Sequence, residues 1–321
     1  MKFAFIVNPM SGQGKHDTGL IPEIEAVIAE NPDKDIKMYT TAGSKDATVI
    51  ADAIAKEAGE DVVIFACGGD GTTQEVANGI YGHDNAILGI MPVGSGNDFV
   101  REIVRTYGKL ADYKDPKNQL DGSDRRMDLM RITWSEDGHE ESRLVANGIN
   151  IGFDGNTAIL ASELKELPLI SGSGAYLLAV FSNLIKKNGQ NLHIIADGEE
   201  FHNGPLLLAT SGNGGYCGGG IRSCPYADLS DGLIELMAIT DVPRRKFIRL
   251  FPKFMAGKIF EAGEDVLKII AYKQAKDILI EPLAGPTMRF VADGEILETG
   301  ALHIEIVPEA IRVWTLQTKE K

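Results

Sequence analysis

Three loops rich in glycine and small polar residues follow apolar runs in the first third of the chain. The central loop, Gly68-Gly69-Asp70-Gly71-Thr72, ends the apolar run 62–67 and precedes a stretch with Val76 and Ile80 at helical spacing. A strand, a glycine turn and a helix in this order direct backbone N–H groups and the positive end of a helix dipole at an anion. The sequence therefore predicts a phosphate-binding turn. Asp70 fits such a turn either by binding a divalent cation beside the phosphate or by anchoring the turn.

Two similar loops follow the apolar runs 3–7 and 87–93. The first is Asn8-Pro9-Met10-Ser11-Gly12, and the other is Gly94-Ser95-Gly96-Asn97-Asp98. The first loop lacks the spacing of a Walker loop. The dinucleotide fingerprint G-x-G-x-x-G is absent from all three loops, which argues against a nicotinamide or flavin cofactor.

Alternating strand and helix patterns carry these loops. The predicted helices are 20–30 and 46–58, and the predicted strands are 3–7, 36–41, 62–67 and 87–93. This alternation predicts an α/β domain with a doubly wound parallel sheet. Ligands of such sheets bind outside the carboxyl ends of the strands. We therefore expect the three loops to form one nucleotide-phosphate site.

The composition changes over the polar stretch 115–126, which indicates a domain boundary. Beyond it strand patterns dominate, interrupted by predicted helices over 157–164, 175–186 and 243–260. The predicted strands are 127–134, 143–151, 192–196, 205–211, 233–240, 267–271, 278–281, 288–292, 302–307 and 311–316. This pattern predicts a β-sandwich or an open barrel.

Two short motifs in this second part carry carboxylates. Asp228 and Asp231 lie in one loop, where oxygen ligands suit Mg²⁺ or Ca²⁺, although a surface turn explains the same residues. Asp293-Gly294-Glu295 offers a general base, but Asp-Gly is also the strongest short hairpin signal. The same tripeptide recurs at Asp197-Gly198-Glu199, so at least one copy is only a turn.

Composition limits the classes of partner. The 321-residue chain carries a net charge of −14 with a pI near 4.9, which argues against a nucleic-acid binder. Its three cysteines form no C-x-x-C pair, so a reducing cytoplasm fits best. No apolar stretch reaches the length of a membrane span. The stretch 243–260 is basic and aromatic, which is typical of a membrane-surface helix; a solvated helix with its apolar face in the core stays an alternative.

Taken together and in this order, the motifs resemble the soluble diacylglycerol kinase and lipid kinase family, which includes the sphingosine and ceramide kinases. The resemblance spans nearly the whole chain. It rests also on Thr41 with Asp46-Ala47, on the stretch 147–154 and on the glycine-rich stretch 213–220. One departure is Ser95, where the family usually has threonine; the hydroxyl is retained.

The resemblance implies two domains with an ATP site in the cleft between them. The nucleotide-binding domain, similar to those of phosphofructokinases and NAD kinases, would span 1–124, with 301–321 returning to it. Residues 125–300 would form the β-sandwich that takes the lipid substrate.

The resemblance also implies roles for individual residues. Contacts to ATP fall on Asn8, Pro9, Met10, Ser11, Gly12, Thr41, Gly69, Asp70, Gly71, Thr72, Thr73, Gln74, Glu75 and Ser95. Asp98 and Arg101 would lie beside the phosphates. The metal loop falls on Asp228, Asp231 and Leu233. The proton acceptor matches Glu295, with Asp293 close by, and the choice between these two stays open.

The implied activity is transfer of the γ-phosphoryl group of ATP, with Mg²⁺, to a lipid hydroxyl, foremost that of diacylglycerol, giving phosphatidic acid. Such a protein is expected in the cytoplasm, in peripheral contact with the anionic inner face of the membrane. Monomer and homodimer both stay open. The alternatives are a kinase of another lipid, of NAD or of a sugar, and a non-catalytic protein that binds lipid or nucleotide.

Overall fold

The computed structural model describes residues 1–11, 17–94, 96–136, 138–152, 189–240 and 242–316. The chain divides into two compact units: unit 1 is Met1–Leu129 with Pro308–Lys321, and unit 2 is Met130–Val307. The helices predicted over 157–164 and 175–186 lie outside the described residues. In the part of the chain that the structure describes, no helix is both long and apolar enough to span a bilayer.

Unit 1 is an α/β unit built on a parallel sheet. Its elements are β1 (Lys2–Val7), α1 (Asp17–Glu30), β2 (Ile36–Thr40), α2 (Asp46–Ala58), β3 (Val62–Gly68), α3 (Asp70–Ile80), β4 (Ala86–Pro92), α4 (Asp98–Thr106), and parts of two long strands, β5 (Gly122–Glu136) and β15 (Leu302–Leu316). The strand order is β15-β4-β3-β1-β2, with every neighbouring pair parallel. The predicted doubly wound parallel sheet is therefore the framework of this unit.

Burial explains why these segments are recognisable. Every residue of β3 and β4 is buried, as expected for central parallel strands covered on both faces. Helix α2 buries Ala47, Ala51, Ala55 and Ala58, which recur at helical spacing and form one face. The small alanine side chains let the helix pack closely on its neighbours.

The last strand of the chain completes this sheet. In β15, Arg312 pairs with Ile87 and Val313 with Leu88, so β15 is the neighbour of β4. The Arg312 guanidinium donates to Asp124 Oδ2 at 2.8 Å and to Asp61 Oδ2 at 2.9 Å. These hydrogen bonds lower the pKa of both carboxyl groups. Unit 1 therefore depends on residues from both ends of the sequence.

Tyr113 makes a second connection to β15, by a fully buried hydroxyl. The hydroxyl donates to the Tyr107 carbonyl at 3.0 Å and accepts from the Leu316 amide at 3.2 Å. Tyr113 has no exposed surface, and burial raises its pKa to about 12. The hydroxyl thus satisfies two backbone groups that water does not reach.

Replacing Tyr113 with phenylalanine is expected to lower the free energy of unfolding by about 1–3 kcal/mol, because the Leu316 amide and the Tyr107 carbonyl lose their partner. Urea denaturation followed by circular dichroism measures this change. Tyr39→Phe, at a half-buried position of β2, is the control and is expected to change the free energy by less than about 0.5 kcal/mol. Equal effects of the two substitutions would contradict the assignment.

Unit 2 is a β-sandwich. Besides its parts of β5 and β15 it contains β6 (His139–Val145), β7 (Gly148–Gly152), β8 (Gln190–Ala196), β9 (Glu199–Gly212), β10 (Ile234–Thr240), α5 (Arg244–Met255), α6 (Glu264–Leu267), β11 (Ile270–Ala275), β12 (Asp277–Pro282), β13 (Met288–Ala292) and β14 (Glu295–Thr299). The strand order is β14-β13-β7-β9-β8-β12-β15, while β10 pairs with β9 and β11, and β5 with β6. The strand pairs whose register is known within this unit are antiparallel.

Several predicted boundaries in unit 2 were wrong. The predicted strand 143–151 is two strands, β6 and β7. The predicted strand 267–271 begins in α6, because Leu267 closes a helical turn on the Gly263 carbonyl. The predicted strands 302–307 and 311–316 are one strand, β15. The helix predicted over 243–260 ends at Met255, and Gly257 follows with a φ of +69°, as at many helix ends.

Candidate functional site

The register of unit 1 brings the ends of four strands to one edge. Val7 pairs with Thr40 and with Cys67, and Gly68 pairs with Pro92. Because all four strands are parallel, the loops that follow them meet at their common carboxyl edge. The structure thus brings together the described parts of the three loops that the sequence singles out.

The loop after β1 is bonded to the glycine turn. Asn8 Nδ2 donates to Thr72 Oγ1 at 3.1 Å, and Asn8 Oδ1 accepts from the Met10 amide at 3.0 Å. The Thr41 amide, after β2, donates to the Val7 carbonyl at 3.0 Å. Met10 is 81% exposed. Gly12 and Ser95, which the resemblance also places at the nucleotide, lie outside the described residues.

Asp70 anchors the turn after β4. Its Oδ2 accepts from the Asn97 amide at 2.8 Å, and its Oδ1 accepts from the Asp98 amide at 2.7 Å. The carboxylate therefore occupies the positive end of α4 in the manner of a helix cap. Burial raises the pKa of Asp70, and the amides of Asp98 and Asn97 oppose that shift. Of the two roles that the sequence leaves open, the structure shows the anchor.

Within the described part of the chain, the positive end of α3 carries no comparable cap. Gly69 precedes the helix, and among the described residues no side chain accepts from the amides of Gly71 or Thr72. A Cβ built on Gly71 would meet no atom within 4 Å. The Asp70 carboxylate already neutralises the positive N-terminal end of α4. At the neighbouring end of α3, the amides of Gly71 and Thr72 and the space above Gly71 can take an anion.

Glu75 supports the neighbouring loop. Its Oε1 accepts from the Lys45 amide at 3.0 Å, and its Oε2 accepts from the Ala47 amide at 3.2 Å. The carboxylate thus fixes the start of α2. Thr73 Oγ1 donates to the Gly69 carbonyl at 3.2 Å, and Gln74 is buried. The hydrogen bonds of Thr73 and Glu75 thus connect the glycine turn with the start of α2.

Asp98 and Arg101 lie on the first turn of α4. Arg101 Nε donates to the Gly96 carbonyl at 2.9 Å and lies 3.8 Å from Asp98 Oδ1. Asp98 is buried, whereas about a third of the Arg101 side chain is exposed. The guanidinium therefore holds the loop before α4 and keeps part of its surface at solvent.

The Asp-Gly-Glu turn of unit 2 is a two-residue hairpin loop between β13 and β14. Ala292 pairs with Glu295, and Asp293 and Gly294 have φ values of +47° and +91°. Positive φ at both central residues is the reason for the Asp-Gly sequence. Asp293 Oδ2 accepts from the amide of Ala146 at 2.6 Å.

The other oxygen of Asp293 accepts from the amides of Asn147 and Gly148, both at 3.0 Å. Its carboxylate therefore holds the loop between β6 and β7 as well as the turn itself. The second copy of the tripeptide shares only part of this arrangement. Asp197, with a φ of +53°, uses one oxygen, Oδ1, for the amides of Lys276 and Asp277 at 2.8 and 3.1 Å.

Replacing Asp293 with asparagine is expected to lower the free energy of unfolding by about 1–3 kcal/mol, because an amide cannot accept through both of its terminal atoms. Asp197→Asn is the matched control: the amide oxygen can keep both hydrogen bonds, so the loss is expected to stay below about 1 kcal/mol. Asparagine tolerates the positive φ at both sites. Thermal unfolding of the two variants measures the difference, and equal losses would contradict this account.

Glu295 begins β14 and is half exposed. Its Oε2 contacts the guanidinium of Arg143, a residue of β6. The sequence gives no signal for Arg143, because it stands in an ordinary strand and meets Glu295 only through the fold. Glu295 thus presents a carboxylate at the surface, held by a partly buried cation.

The predicted metal loop is compact and carries exposed carboxylates. Asp228 Oδ1 accepts from the Ser230 amide at 3.0 Å, and Asp231 Oδ1 accepts from the Leu233 amide at 2.9 Å. In the described ranges, no three His, Cys, Asp or Glu side chains cluster as metal ligands. Two carboxylates and backbone carbonyls are nevertheless a suitable donor set for Mg²⁺, which keeps several waters and needs few protein ligands.

The buried side chain of Glu235 holds the start of the loop that contains Asp228 and Asp231. It is buried in β10, and both carboxylate oxygens accept from the Tyr226 amide at 3.2 and 3.1 Å. Burial raises its pKa to about 7, against hydrogen bonds from Tyr226 and Tyr272. Sequence reasoning missed Glu235, although an acidic residue within the apolar run 234–239 is a signal of a buried, bonded carboxylate.

A small apolar cavity of about 10 Å³ lies between α5 and the segments it packs on. No polar surface contributes to its wall. The lining residues are Ile239, Val242, Leu250, Phe251, Phe254, Ile259, Val266, Ile269 and Ile270. Such a wall favours hydrocarbon over any charged or hydrogen-bonding group.

Known proteins resemble the chain over both units. The diacylglycerol kinase catalytic domain matches residues 2–132, and the YegS C-terminal NAD kinase beta sandwich-like domain matches residues 148–315. A diacylglycerol kinase of Mycobacterium tuberculosis (strain H37Rv) is 29% identical over 319 residues, which cover 97% of this chain and 94% of the relative.

A second relative and a solved structure are also similar to this chain. A protein of Pseudomonas syringae pv. tomato named "Probable lipid kinase YegS-like" is 30% identical over 258 residues, 76% of this chain and 75% of its own length. The crystal structure of a diacylglycerol kinase from Bacillus anthracis matches with a TM-score of 0.66 at 22% identity, over 98% of this chain and 96% of that one. The predicted fold class, a parallel α/β domain followed by a β-sandwich, is confirmed.

Proposed function

Because the chain belongs to the family of diacylglycerol kinases and YegS-like lipid kinases, which are phosphotransferases with an alcohol acceptor, we propose that it phosphorylates diacylglycerol. The γ-phosphoryl group of ATP passes to the lipid hydroxyl, and the products are phosphatidic acid and ADP. The observation that carries the proposal is the positive end of α3, where no described side chain accepts from the Gly71 or Thr72 amides and where Gly71 faces open space.

In this proposal unit 1 binds ATP. The phosphates approach the backbone amides after Gly69, where the helix dipole and the absence of a side chain at Gly71 favour an anion. The remaining contacts come from the loops bonded to this turn: Asn8 to Gly12, Thr41, Thr72 to Glu75, and Ser95. Arg101 and Asp98 lie beside the phosphates. Glu75 and Asp70 act mainly by holding the loops in place.

The reaction requires a proton acceptor for the lipid hydroxyl. Its oxygen bonds to the γ-phosphorus, the bond from that phosphorus to the β–γ bridging oxygen breaks, and the electron pair leaves with ADP. We assign the proton to the carboxylate of Glu295. Asp293 already accepts three backbone amides, so its role is to hold the turn that carries Glu295.

A divalent cation fits the loop of unit 2. Asp228, Asp231 and the backbone at Leu233 would hold Mg²⁺, in keeping with their oxygen donors. When bound, Mg²⁺ supplies positive charge that stabilises phosphate oxygens. Glu235 fixes the start of this loop through the Tyr226 amide.

The apolar pocket beneath α5 is the proposed site of an acyl chain. Its wall, as far as the described residues form it, is apolar and suits hydrocarbon. The cavity itself is only about 10 Å³, so a chain would enter by displacing α5 from the segments it packs on. A nucleotide or sugar acceptor would leave its polar groups unpaired there. This supports a lipid acceptor over NAD or a sugar phosphate.

The test is phosphoryl transfer from labelled ATP with Mg²⁺ to a panel of acceptors, separated by chromatography. The panel contains diacylglycerol, monoacylglycerol, sphingosine, ceramide, NAD and fructose 6-phosphate. We expect labelled phosphatidic acid as the main product. Label in NAD or in the sugar would refute the proposal, and ATP binding without transfer to any lipid would point to a non-catalytic relative.

We further propose that the protein works at the cytoplasmic face of the membrane and contacts it through α5. Arg245, Arg249 and Lys253 are exposed on this helix, together with Ile248 and Met255, which are 54% and 37% exposed. Exposed basic and apolar residues on one helix suit anionic headgroups and the upper acyl region. The net charge of −14 makes this cationic helix distinctive.

Reversing Arg245, Arg249 and Lys253 to glutamate is expected to weaken sedimentation with phosphatidylglycerol vesicles about hundredfold, at ~1 kcal/mol for each basic residue. Reversing the exposed Lys34, Lys37 and Lys114 of unit 1 changes the net charge equally and is expected to have a far smaller effect. Phosphatidylcholine vesicles should bind neither variant differently from the parent. Equal losses in the two triple variants would remove α5 from the membrane contact.

A further inference from the structure

Arg143 holds the tip of the hairpin that carries Glu295. Its guanidinium contacts Glu295 Oε2 through Nη1, and its Nη2 donates to the Ala292 carbonyl at 3.4 Å. Ala292 and Glu295 are the register partners that flank the Asp-Gly turn. One planar cation therefore contacts both sides of the same turn.

The cation is itself fixed. The Arg143 side chain is 18% exposed, against 47% for Glu295, and its guanidinium carbon lies 5.8 Å from the centre of the Trp134 ring. Trp134 is buried in β5, the strand paired with β6. Cation–π contact and burial leave the guanidinium few alternative positions. The more exposed Glu295 is thus oriented by the less exposed Arg143.

This arrangement matters for a proton acceptor. An exposed glutamate samples many rotamers, and fixing a side chain of this length costs up to ~2 kcal/mol of conformational entropy. Contact of Oε2 with Arg143 restricts those rotamers in advance and leaves Oε1 to face a substrate hydroxyl. Preorganisation of this kind raises turnover without strengthening substrate binding.

We infer that Arg143 is a positioning residue for phosphoryl transfer, acting through the carboxylate of Glu295. The inference rests on the proposed role of Glu295. It predicts that loss of Arg143 lowers kcat, leaves the KM for ATP nearly unchanged, and has no further effect once Glu295 is replaced.

The strand that pairs with β6 offers a matched control. Arg131, on β5, forms an ion pair with Glu305, with Nη1 and Oε1 2.7 Å apart. This pair resembles that of Arg143 in chemistry and partial exposure, but it includes no residue of the Asp-Gly-Glu turn. Arg131→Gln therefore reports what the loss of an ion pair in this unit does to stability alone.

The experiment compares Arg143→Gln, Arg143→Lys and Arg131→Gln, each with Glu295 and in the Glu295→Gln background. For Arg143→Gln we expect kcat to fall about tenfold or more, with the KM for ATP within twofold of the parent. Arg143→Lys keeps the charge but not the two-sided contact and is expected to recover part of the loss. If Arg143→Gln does not fold, the lysine variant carries the test.

The outcomes separate the inference from the proposed function. If Glu295→Gln abolishes turnover while Arg143→Gln and Arg143→Lys keep the parental kcat, the inference fails and the proton acceptor stands. If Arg143→Gln lowers kcat equally in both backgrounds, Arg143 does not act through Glu295 and the inference fails. If Glu295→Gln keeps the parental kcat, the acceptor assignment fails first, and the inference with it.

Discussion

Replacing Glu295 with glutamine is expected to lower kcat about 10²–10⁴-fold, because a neutral amide cannot take the proton of the lipid hydroxyl. The KM for ATP and the unfolding temperature are expected to stay close to the parental values, since glutamine keeps the length of the side chain and an oxygen toward Arg143. Initial rates with diacylglycerol at saturating ATP measure the loss.

Glu199→Gln is the matched control for this substitution. Glu199 ends the second Asp-Gly-Glu turn and pairs with Lys273, with Nζ and Oε2 3.1 Å apart, much as Glu295 pairs with Arg143. The control is expected to keep parental turnover. A parental rate in the Glu295 variant would show that the acceptor lies elsewhere.

Replacing Gly71 with alanine is expected to raise the Kd for ATP about tenfold to hundredfold, equivalent to ~1.4–2.8 kcal/mol. The added methyl group meets no protein atom within 4 Å, so the fold accommodates it. The space that it takes is the space we assign to a phosphate above the α3 amides. Isothermal titration with ATP and thermal unfolding together measure the two properties.

Gly68→Ala makes the same chemical change three residues earlier and serves as the contrast. A Cβ at Gly68 would lie 2.2 Å from Thr72 Oγ1, so this variant is expected to lose about 1–3 kcal/mol of stability from overpacking. Packing thus requires glycine at position 68, whereas at position 71 we propose that the ligand requires it. Unchanged ATP affinity in a folded Gly71 variant would place the phosphates elsewhere.

The parallel framework of unit 1 could be predicted because its signal is local. Central strands such as β3 are apolar throughout since both faces are covered, and α2 repeats its alanines at helical spacing. The convergence of the loops then follows from the direction of parallel strands. This convergence can be predicted without knowing which side chains are in contact.

The function of Asp70 could not be settled in this way. The amides that it binds, those of Asn97 and Asp98, lie 27 and 28 residues away in sequence. A local pattern cannot distinguish a carboxylate that caps a distant helix from one that binds a cation. For the same reason a local pattern could not predict the contact between Arg143 and Glu295, which are 152 residues apart in sequence.

The sequence pattern also failed to predict that β15 is one continuous strand. Pro308 and Glu309 suggest a break, and Glu309 does have a φ of +49°. The chain nevertheless continues as a strand, because the Glu309 amide donates to Asp128 Oδ1 at 2.7 Å. A side chain from another strand satisfies the backbone where the strand bends.

The position of β15 beside β4 has a consequence for biosynthesis. Residues 1–129 emerge from the ribosome first, yet the sheet that they form stays incomplete until residues 308–316 have been translated. Until then the edge of β4 is unpaired, and Asp61 and Asp124 lack the arginine that joins them. Residues 1–129 therefore reach their native state only after nearly the whole chain has been translated. In the interval the open strand edge of β4 is exposed to chaperones.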